Sequence, residues 1–167
     1  DINWRASRAL DRGLIATLAG GDWLRHARNV LITGPTGSGK TWLACALAHQ
    51  AARSGFAVLY VRAARLFDEL QVAHGDGSFA RRLTQLAKLD LVVLDELGYV
   101  PASKAGAELL FDVIGAAYER HSLVVTTNLS FENGQSYSVL STCLTMTFPT
   151  SRGRQLSLHP FRSGVVR

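Results

Sequence analysis

Cysteine, methionine and long apolar runs are scarce in this chain of 167 residues. The two cysteines, Cys45 and Cys143, have neither the spacing of a metal site nor the density of a disulfide framework, which favours a reduced, cytoplasmic setting. No apolar run approaches the roughly 18 residues of a membrane span, and residues 1–12 are too charged for a signal peptide. Because the chain starts at Asp1 and its one methionine is Met146, we expect a piece of a longer protein.

Acidic residues are absent from Asn133 to Arg167, a segment with four arginines and ten serines or threonines. All 13 acidic residues precede this tail, so the body of the chain is nearly neutral and the formal charge of +5 belongs mainly to the tail. Such diffuse charge is typical of a solvated surface as well as of nucleic-acid contact, and it does not distinguish the two.

Four short apolar runs predict strands that are buried on both faces, as in a parallel sheet: Asn29–Thr33, Val58–Arg62, Leu91–Leu94 and Leu123–Thr127. Segments with helical spacing separate these runs, and the second such segment is interrupted near residues 75–78. Alternation of strand and helix predicts an α/β fold with three layers, helices on both faces of a parallel sheet.

A glycine-rich segment after the first strand fits the pattern G-x-x-x-x-G-K-[ST] in full. It consists of Gly34, Pro35, Thr36, Gly37, Ser38, Gly39, Lys40 and Thr41. The glycines allow backbone N–H groups to point at phosphate oxygens, and the following helix adds the partial positive charge of its N-terminus. Lys40 is expected to reach the β- and γ-phosphates of ATP, and Thr41 to offer its hydroxyl to Mg²⁺.

Two carboxylates, Asp95 and Glu96, end the third apolar run. Carboxyl ends of parallel strands face the ligand crevice, so the pair is expected to lie beside the phosphate loop. Asp95 is predicted to hold the Mg²⁺ shell, and Glu96 to orient and deprotonate the attacking water. The fourth run ends in Thr126, Thr127 and Asn128, and Asn128 is predicted to sense the γ-phosphate.

These three motifs, in this order, resemble the AAA+ branch of P-loop ATPases. The closer resemblance is to the IstB-like transposition helpers, relatives of DnaC-type helicase loaders and of DnaA. The most specific segments are Leu91 to Pro101 (LVVLDELGYVP) and Ser122 to Leu129 (SLVVTTNL). The resemblance covers residues 1–132, which we interpret as an AAA+ ATPase core, and residues 133–167 as a divergent tail.

The resemblance implies an ATPase that assembles as an oligomer on duplex DNA and delivers target DNA to a transposase. It also implies an arginine contributed by the neighbouring subunit, a C-terminal lid and a final strand, none of which aligns with residues 133–167. We therefore expect the lid to be absent or altered and the final strand to be missing. A shifted reading frame, a degenerate end or a disordered tail would each account for this departure.

Three alternatives to the transposition helper stay open. A helicase loader would have the same core and a different partner, whereas a nucleotide-binding remnant would not turn ATP over. A small-molecule kinase is less favoured, because the acidic pair suits water activation better than transfer to a substrate. Arg81, Arg82 and Lys88 are candidates for DNA phosphate contact or for a solvated helix face, and Trp42 and Cys45 are expected in the core.

Overall fold

Five parallel strands form one sheet in the computed structural model, which describes residues 12–97, 104–117, 120–128 and 153–157. Their order across the sheet is β2-β3-β4-β1-β5. The strands are β1 (Asn29–Thr33), β2 (Val58–Arg62), β3 (Leu91–Asp95), β4 (Ser122–Thr127) and β5 (Gly153–Ser157). The four predicted strands are confirmed to within one residue at each end.

Six helices are present in the described part of the chain. They are α1 (Arg12–Ala19), α2 (Asp22–Arg25), α3 (Lys40–Arg53), α4 (Ala63–Asp76), α5 (Phe79–Leu86) and α6 (Lys104–Ala117). The predicted break between α4 and α5 is confirmed and narrower than expected. It consists of Gly77, which has a φ of +75°, and Ser78.

The two faces of the sheet carry separate hydrophobic cores. One core packs α1, α2 and α3 against Val30, Ile32, Leu91, Val93 and Val124. The other packs α4, α5 and α6 against Leu31, Val92, Leu94, Leu123 and Val125. Alternate residues of strands β1 to β4 therefore contact opposite helical layers, which is why these four strands are largely apolar. The predicted three-layer α/β/α fold is confirmed.

The tail contributes β5, which pairs in parallel with β1 in the register Asn29 to Gly153 and Thr33 to Ser157. The expectation that the chain lacks a final strand is therefore wrong for residues 153–157. A five-residue strand without a clear polar alternation gives little signal in the sequence. The segment Cys143 to Phe148 (CLTMTF) alternates as a strand does and predicts a strand in the tail, but it lies outside the described residues. The position of the expected lid also lies outside them.

A search of the described helices for a membrane span finds none with both the length and the apolar character that crossing requires.

Candidate nucleotide-binding site

The glycine-rich loop connects the end of β1 at Thr33 to the start of α3 at Lys40. Gly37 and Gly39 have φ values of +79° and +93°, which residues with a Cβ rarely adopt. Gly39 is the N-cap of α3, and no side chain of the described residues caps that helix end. The first N–H groups of α3 are thus left to an anion, in the arrangement that the motif predicts.

Lys40 folds back over the loop that precedes it. Its Nζ donates hydrogen bonds to the carbonyl oxygens of Gly34, at 2.7 Å, and Pro35, at 2.9 Å. Burial lowers the pKa of Lys40, and the negative charges of Asp95 and Glu96 oppose that effect. The ammonium group is therefore held at the loop by weak neutral acceptors, which a phosphate oxygen can replace.

Asp95 is the buried centre of the site, with 1% of its surface exposed. Three hydroxyl groups donate to its carboxylate: Thr41 to Oδ1 at 3.1 Å, Tyr60 to Oδ2 at 2.6 Å, and Thr126 to Oδ1. The alternation along the strands places Asp95 on the same face as Leu91 and Val93, which is the face that α3 covers. This explains why a residue at the end of β3 meets the first turn of α3.

Glu96 leaves the strand in a left-handed conformation, with a φ of +61°. Its backbone N–H donates to the hydroxyl of Thr126 at 2.9 Å. Its half-exposed carboxylate lies 3.6 Å from Nε of Arg62, measured from Oε2. The positive φ costs about 1 kcal/mol or more in a residue with a Cβ, so the surrounding contacts hold Glu96 in this conformation.

A cavity of about 530 Å³ brings most of the predicted residues together at one end of the sheet, although Gly34, Pro35, Ser38 and Asp95 do not line it. Its lining is Thr36, Gly37, Gly39, Lys40, Thr41, Trp42, Cys45, Glu96, Thr126 and Asn128. The loop, the glutamate after β3 and the asparagine after β4 thus face the same space. Asp95 adjoins this space through its bonds to Thr41 and Thr126. The volume falls in the range of ordinary small-ligand pockets.

The residues at the cavity fit a triphosphate accompanied by a magnesium ion. The buried Oγ of Ser38 has no hydrogen-bond partner among the described residues. Buried hydroxyl groups normally have one, so this atom is suited to bond a phosphate oxygen. Hydroxyl and carboxylate oxygens, such as those of Thr41 and Asp95, are the hard donors that Mg²⁺ prefers. The described ranges contain no group of three or more histidine, cysteine or acidic side chains that could hold a metal ion.

Sequence reasoning missed Tyr60 and placed two other residues wrongly. Trp42 is 50% exposed and Cys45 is also exposed, because α3 buries its opposite side, including Leu43 and Leu47. Trp42 and Cys45 line the cavity instead of entering the core. Tyr60 comes from the neighbouring strand, where burial and the bond to Asp95 raise its pKa well above the ordinary value.

Curated relatives of this chain come from bacterial insertion sequences. A Pseudomonas fluorescens protein, named as an ATP-binding protein of IS1162, is 48% identical over 138 residues, which cover 83% of this chain and 60% of the relative. A Pseudomonas aeruginosa protein, named as an ATP-binding protein of IS21, is 36% identical over 122 residues, or 73% and 46% of the two chains. The chain spans about half the length of the curated relatives it matches.

Solved structures with a similar fold include replication proteins. The DnaC helicase loader superposes with a TM-score of 0.69 at 21% identity, over 87% of this chain and 86% of the other. DnaA of Aquifex aeolicus bound to AMPPCP superposes with a TM-score of 0.69 at 17% identity, over 89% and 47%. At these identities the likeness shows the fold alone, that of P-loop AAA+ proteins.

A family model described as IstB-like ATP binding protein matches residues 1–145. The match includes every residue of the cavity and extends beyond residue 132, the end of the resemblance that the motifs indicate. Taken with the relatives from insertion sequences, it shows that the chain belongs to the IstB-like ATP-binding protein family.

Proposed function

We propose that this chain binds ATP with Mg²⁺ and hydrolyses it as a helper of DNA transposition. The observation that carries the proposal is the contact between Thr41 and Asp95, 3.1 Å apart, beside a cavity that Glu96 also lines. Residues 54 positions apart in the chain thereby join the phosphate loop to a pair of carboxylates. That combination suits hydrolysis of a triphosphate better than simple anion binding.

The phosphate chain would be held by the loop from Gly34 to Thr41. Backbone N–H groups at the start of α3 supply fixed dipoles, and Ser38 supplies a hydroxyl without a competing partner. Lys40 would exchange the carbonyls of Gly34 and Pro35 for oxygens of the β- and γ-phosphates. The gain comes from replacing two neutral acceptors with charged ones.

Thr41 and Asp95 are the residues that would hold Mg²⁺, which when bound neutralises charge on the β- and γ-phosphates. Asp95 needs no protein cation to be satisfied, because three hydroxyl donors surround it. Its orientation is therefore fixed before a ligand arrives, which is the preorganisation that catalysis requires.

Glu96 would orient and deprotonate the water that attacks the γ-phosphate, and Asn128 would hydrogen-bond the γ-phosphate or that water. Both residues line the cavity with Lys40. The carboxylate of Glu96 is half exposed, so water can reach it, and its Oε2 lies 3.6 Å from Nε of Arg62. Asn128 is exposed at the end of β4, where it can meet a ligand.

The place of this activity in transposition rests on the insertion-sequence relatives. We propose that the chain assembles as an oligomer on duplex DNA and delivers target DNA to a transposase. We also propose that residues 1–132 are the ATPase core and that residues 133–167 are a divergent tail. Exposed basic residues such as Arg81 and Lys88 are available for phosphate contact.

Turnover of ATP, measured with and without duplex DNA, tests the proposal. We expect the wild-type chain to release phosphate, faster with DNA, and Glu96→Gln to bind ATP with turnover reduced about 100-fold or more, since one general base contributes about that much. Glu69→Gln is the matched control, because Glu69 also pairs with arginines and does not line the cavity.

Three results would contradict parts of the proposal. Binding without turnover in the wild-type chain would favour the nucleotide-binding remnant. Equal turnover in the wild-type chain and Glu96→Gln would remove Glu96 from the mechanism. Co-precipitation with a replicative helicase and not with a transposase would favour the helicase loader.

A further inference from the structure

Tyr60 connects the open edge of the sheet to the buried carboxylate of the site. It lies in the middle of β2, whose one neighbour in the described sheet is β3. The residue is 40% exposed, yet its hydroxyl donates to Oδ2 of Asp95 at 2.6 Å. A partly exposed tyrosine thus donates a hydrogen bond to a buried acid.

The two oxygens of the Asp95 carboxylate have different partners. Oδ1 accepts bonds from Thr41 and Thr126, and Oδ2 accepts its bond from Tyr60. A carboxylate can rotate about its Cβ–Cγ bond, and such a rotation would turn Oδ1 away from Thr41. The bond from Tyr60 to Oδ2 opposes that rotation. Tyr60 lies on β2 and Thr126 on β4, so the carboxylate of Asp95, on β3 between them, is held from both sides.

Packing does not account for the hydroxyl of Tyr60. The neighbouring strand residues Leu59 and Val61 contact the hydrophobic core on the opposite face of the sheet. The Tyr60 ring is exposed enough that phenylalanine would serve equally well as a cover for the strand edge. What phenylalanine lacks is the donor to Oδ2.

We propose that Tyr60 is a positioning residue for Asp95, holding Oδ2 so that Oδ1 stays directed at Thr41 and the pair is ready for Mg²⁺. This inference rests on the proposed function, in which Thr41 and Asp95 hold the metal that accompanies ATP. Tyr60 touches neither the metal nor the nucleotide in this role; it acts through Asp95.

The test compares the Mg²⁺ dependence of nucleotide binding in the wild-type chain and in Tyr60→Phe. Binding of a fluorescent ATP analogue is measured in EDTA and then over a Mg²⁺ titration. We expect Tyr60→Phe to raise the Mg²⁺ concentration at half-effect about 10-fold, as for other residues that orient a metal ligand. Analogue affinity in EDTA should stay unchanged, although loss of the bond to Asp95 should lower the melting temperature. A general structural defect would lower the affinity in EDTA as well.

Thr84→Val is the matched control, since it removes an exposed hydroxyl that bonds only within its own helix, to the carbonyl of Ala80. An unchanged Mg²⁺ titration in folded Tyr60→Phe would overturn the role of Tyr60 and leave the proposed function standing. If nucleotide binding by the wild-type chain does not depend on Mg²⁺, both the role of Tyr60 and the proposed function are overturned.

A second measurement decides the matter if Tyr60→Phe does not fold. Incorporation of 3-fluorotyrosine at position 60 keeps the hydroxyl and gives one fluorine signal at that residue. Adding Mg²⁺ to the ATP complex should shift the signal, because the metal would change the charge on the carboxylate that Tyr60 contacts. A signal that does not respond to Mg²⁺ would overturn the proposal.

Discussion

The hydroxyl of Thr126 donates a hydrogen bond to the carboxylate of Asp95, and both side chains are buried. The same hydroxyl accepts a hydrogen bond from the backbone N–H of Glu96 at 2.9 Å. One side chain therefore bonds both the carboxylate of Asp95 and the backbone of the residue that follows it. Thr126→Val would leave the Glu96 N–H without this acceptor and remove one donor from Asp95. We expect a loss of about 1–3 kcal/mol in the free energy of unfolding, measured by urea denaturation.

Thr126→Ser is the control for that substitution, because it keeps the hydroxyl and removes one methyl group. We expect Thr126→Ser to lie closer to the wild-type chain than Thr126→Val does. The opposite order would mean that methyl packing, rather than the two hydrogen bonds, governs stability at this position.

Glu96 should be one of the few positions where glycine is more stable than alanine. Its φ of +61° is strained for any residue with a Cβ, and both substitutions remove the carboxylate. We expect Glu96→Gly to exceed Glu96→Ala by about 1 kcal/mol in the free energy of unfolding. The exposed helical residue Ala52 should show the reverse, with Ala52→Gly losing about 1 kcal/mol. Equal stabilities at position 96 would remove the argument for strain.

Strands β1 to β4 could be predicted because each is a largely apolar run that ends at a change of polarity. Asp95 and Glu96 were predictable for the same reason: two carboxylates after a buried strand have to lie at the rim of the sheet. Tyr60 was not, because its bond to Asp95 depends on β2 lying beside β3. The composition of the strands does not predict their order in the sheet.

Trp42 shows where hydrophobicity misleads. Its position in α3 is set by Leu43, Ala44 and Leu47, which occupy the buried side and leave residue 42 outside. A large apolar residue at the start of the helix is instead placed beside the cavity. The strand β5 was missed for a different reason, since its five residues include three polar ones and depend on the open edge of β1.

Loss of Lys40 should weaken nucleotide binding more than it weakens the fold. Hydrogen bonds to charged groups contribute about 1.5–3 kcal/mol, so Lys40→Ala should lower ATP affinity about 10- to 100-fold, measured by isothermal titration. The bonds that Lys40 makes to the loop carbonyls are partly exposed, so melting should change little. Lys88→Ala, which alters an exposed lysine outside the cavity, should bind ATP like the wild-type chain.

Arg81 and Arg82 are adjacent in α5 and should differ in their effect on DNA binding. Both side chains are exposed, but Arg82 is paired with Glu69 at 2.9 Å and also donates to Gln85. If Arg81 contacts a DNA phosphate, Arg81→Ala should reduce the slope of log affinity against log salt by about 1. Arg82→Ala should change that slope less. Identical slopes for wild type and Arg81→Ala would exclude the contact.

His121 should make the fold less stable as the pH falls below about 6.5. This residue directly precedes β4, its side chain is buried, and its Nδ1 has no hydrogen-bond partner in the described part of the chain. Burial lowers its pKa, and the nearby Asp90 opposes this while Arg120 adds to it. Between the ordinary pKa and the lowered one, the unfolded chain binds a proton that the folded chain does not, so stability is complete above the ordinary pKa and is lost below it.

The pH dependence is checked by urea denaturation of the wild-type chain and His121→Leu at pH 7.5 and pH 5.0. One proton accounts for at most about 1.4 kcal/mol per pH unit, and His121→Leu should lose less stability over this range than the wild-type chain does. His49→Gln, at an exposed position of α3, should retain the wild-type loss. If His121→Leu and the wild-type chain lose equal stability between these pH values, the acid sensitivity arises from other groups and the buried imidazole accepts its proton without unfolding.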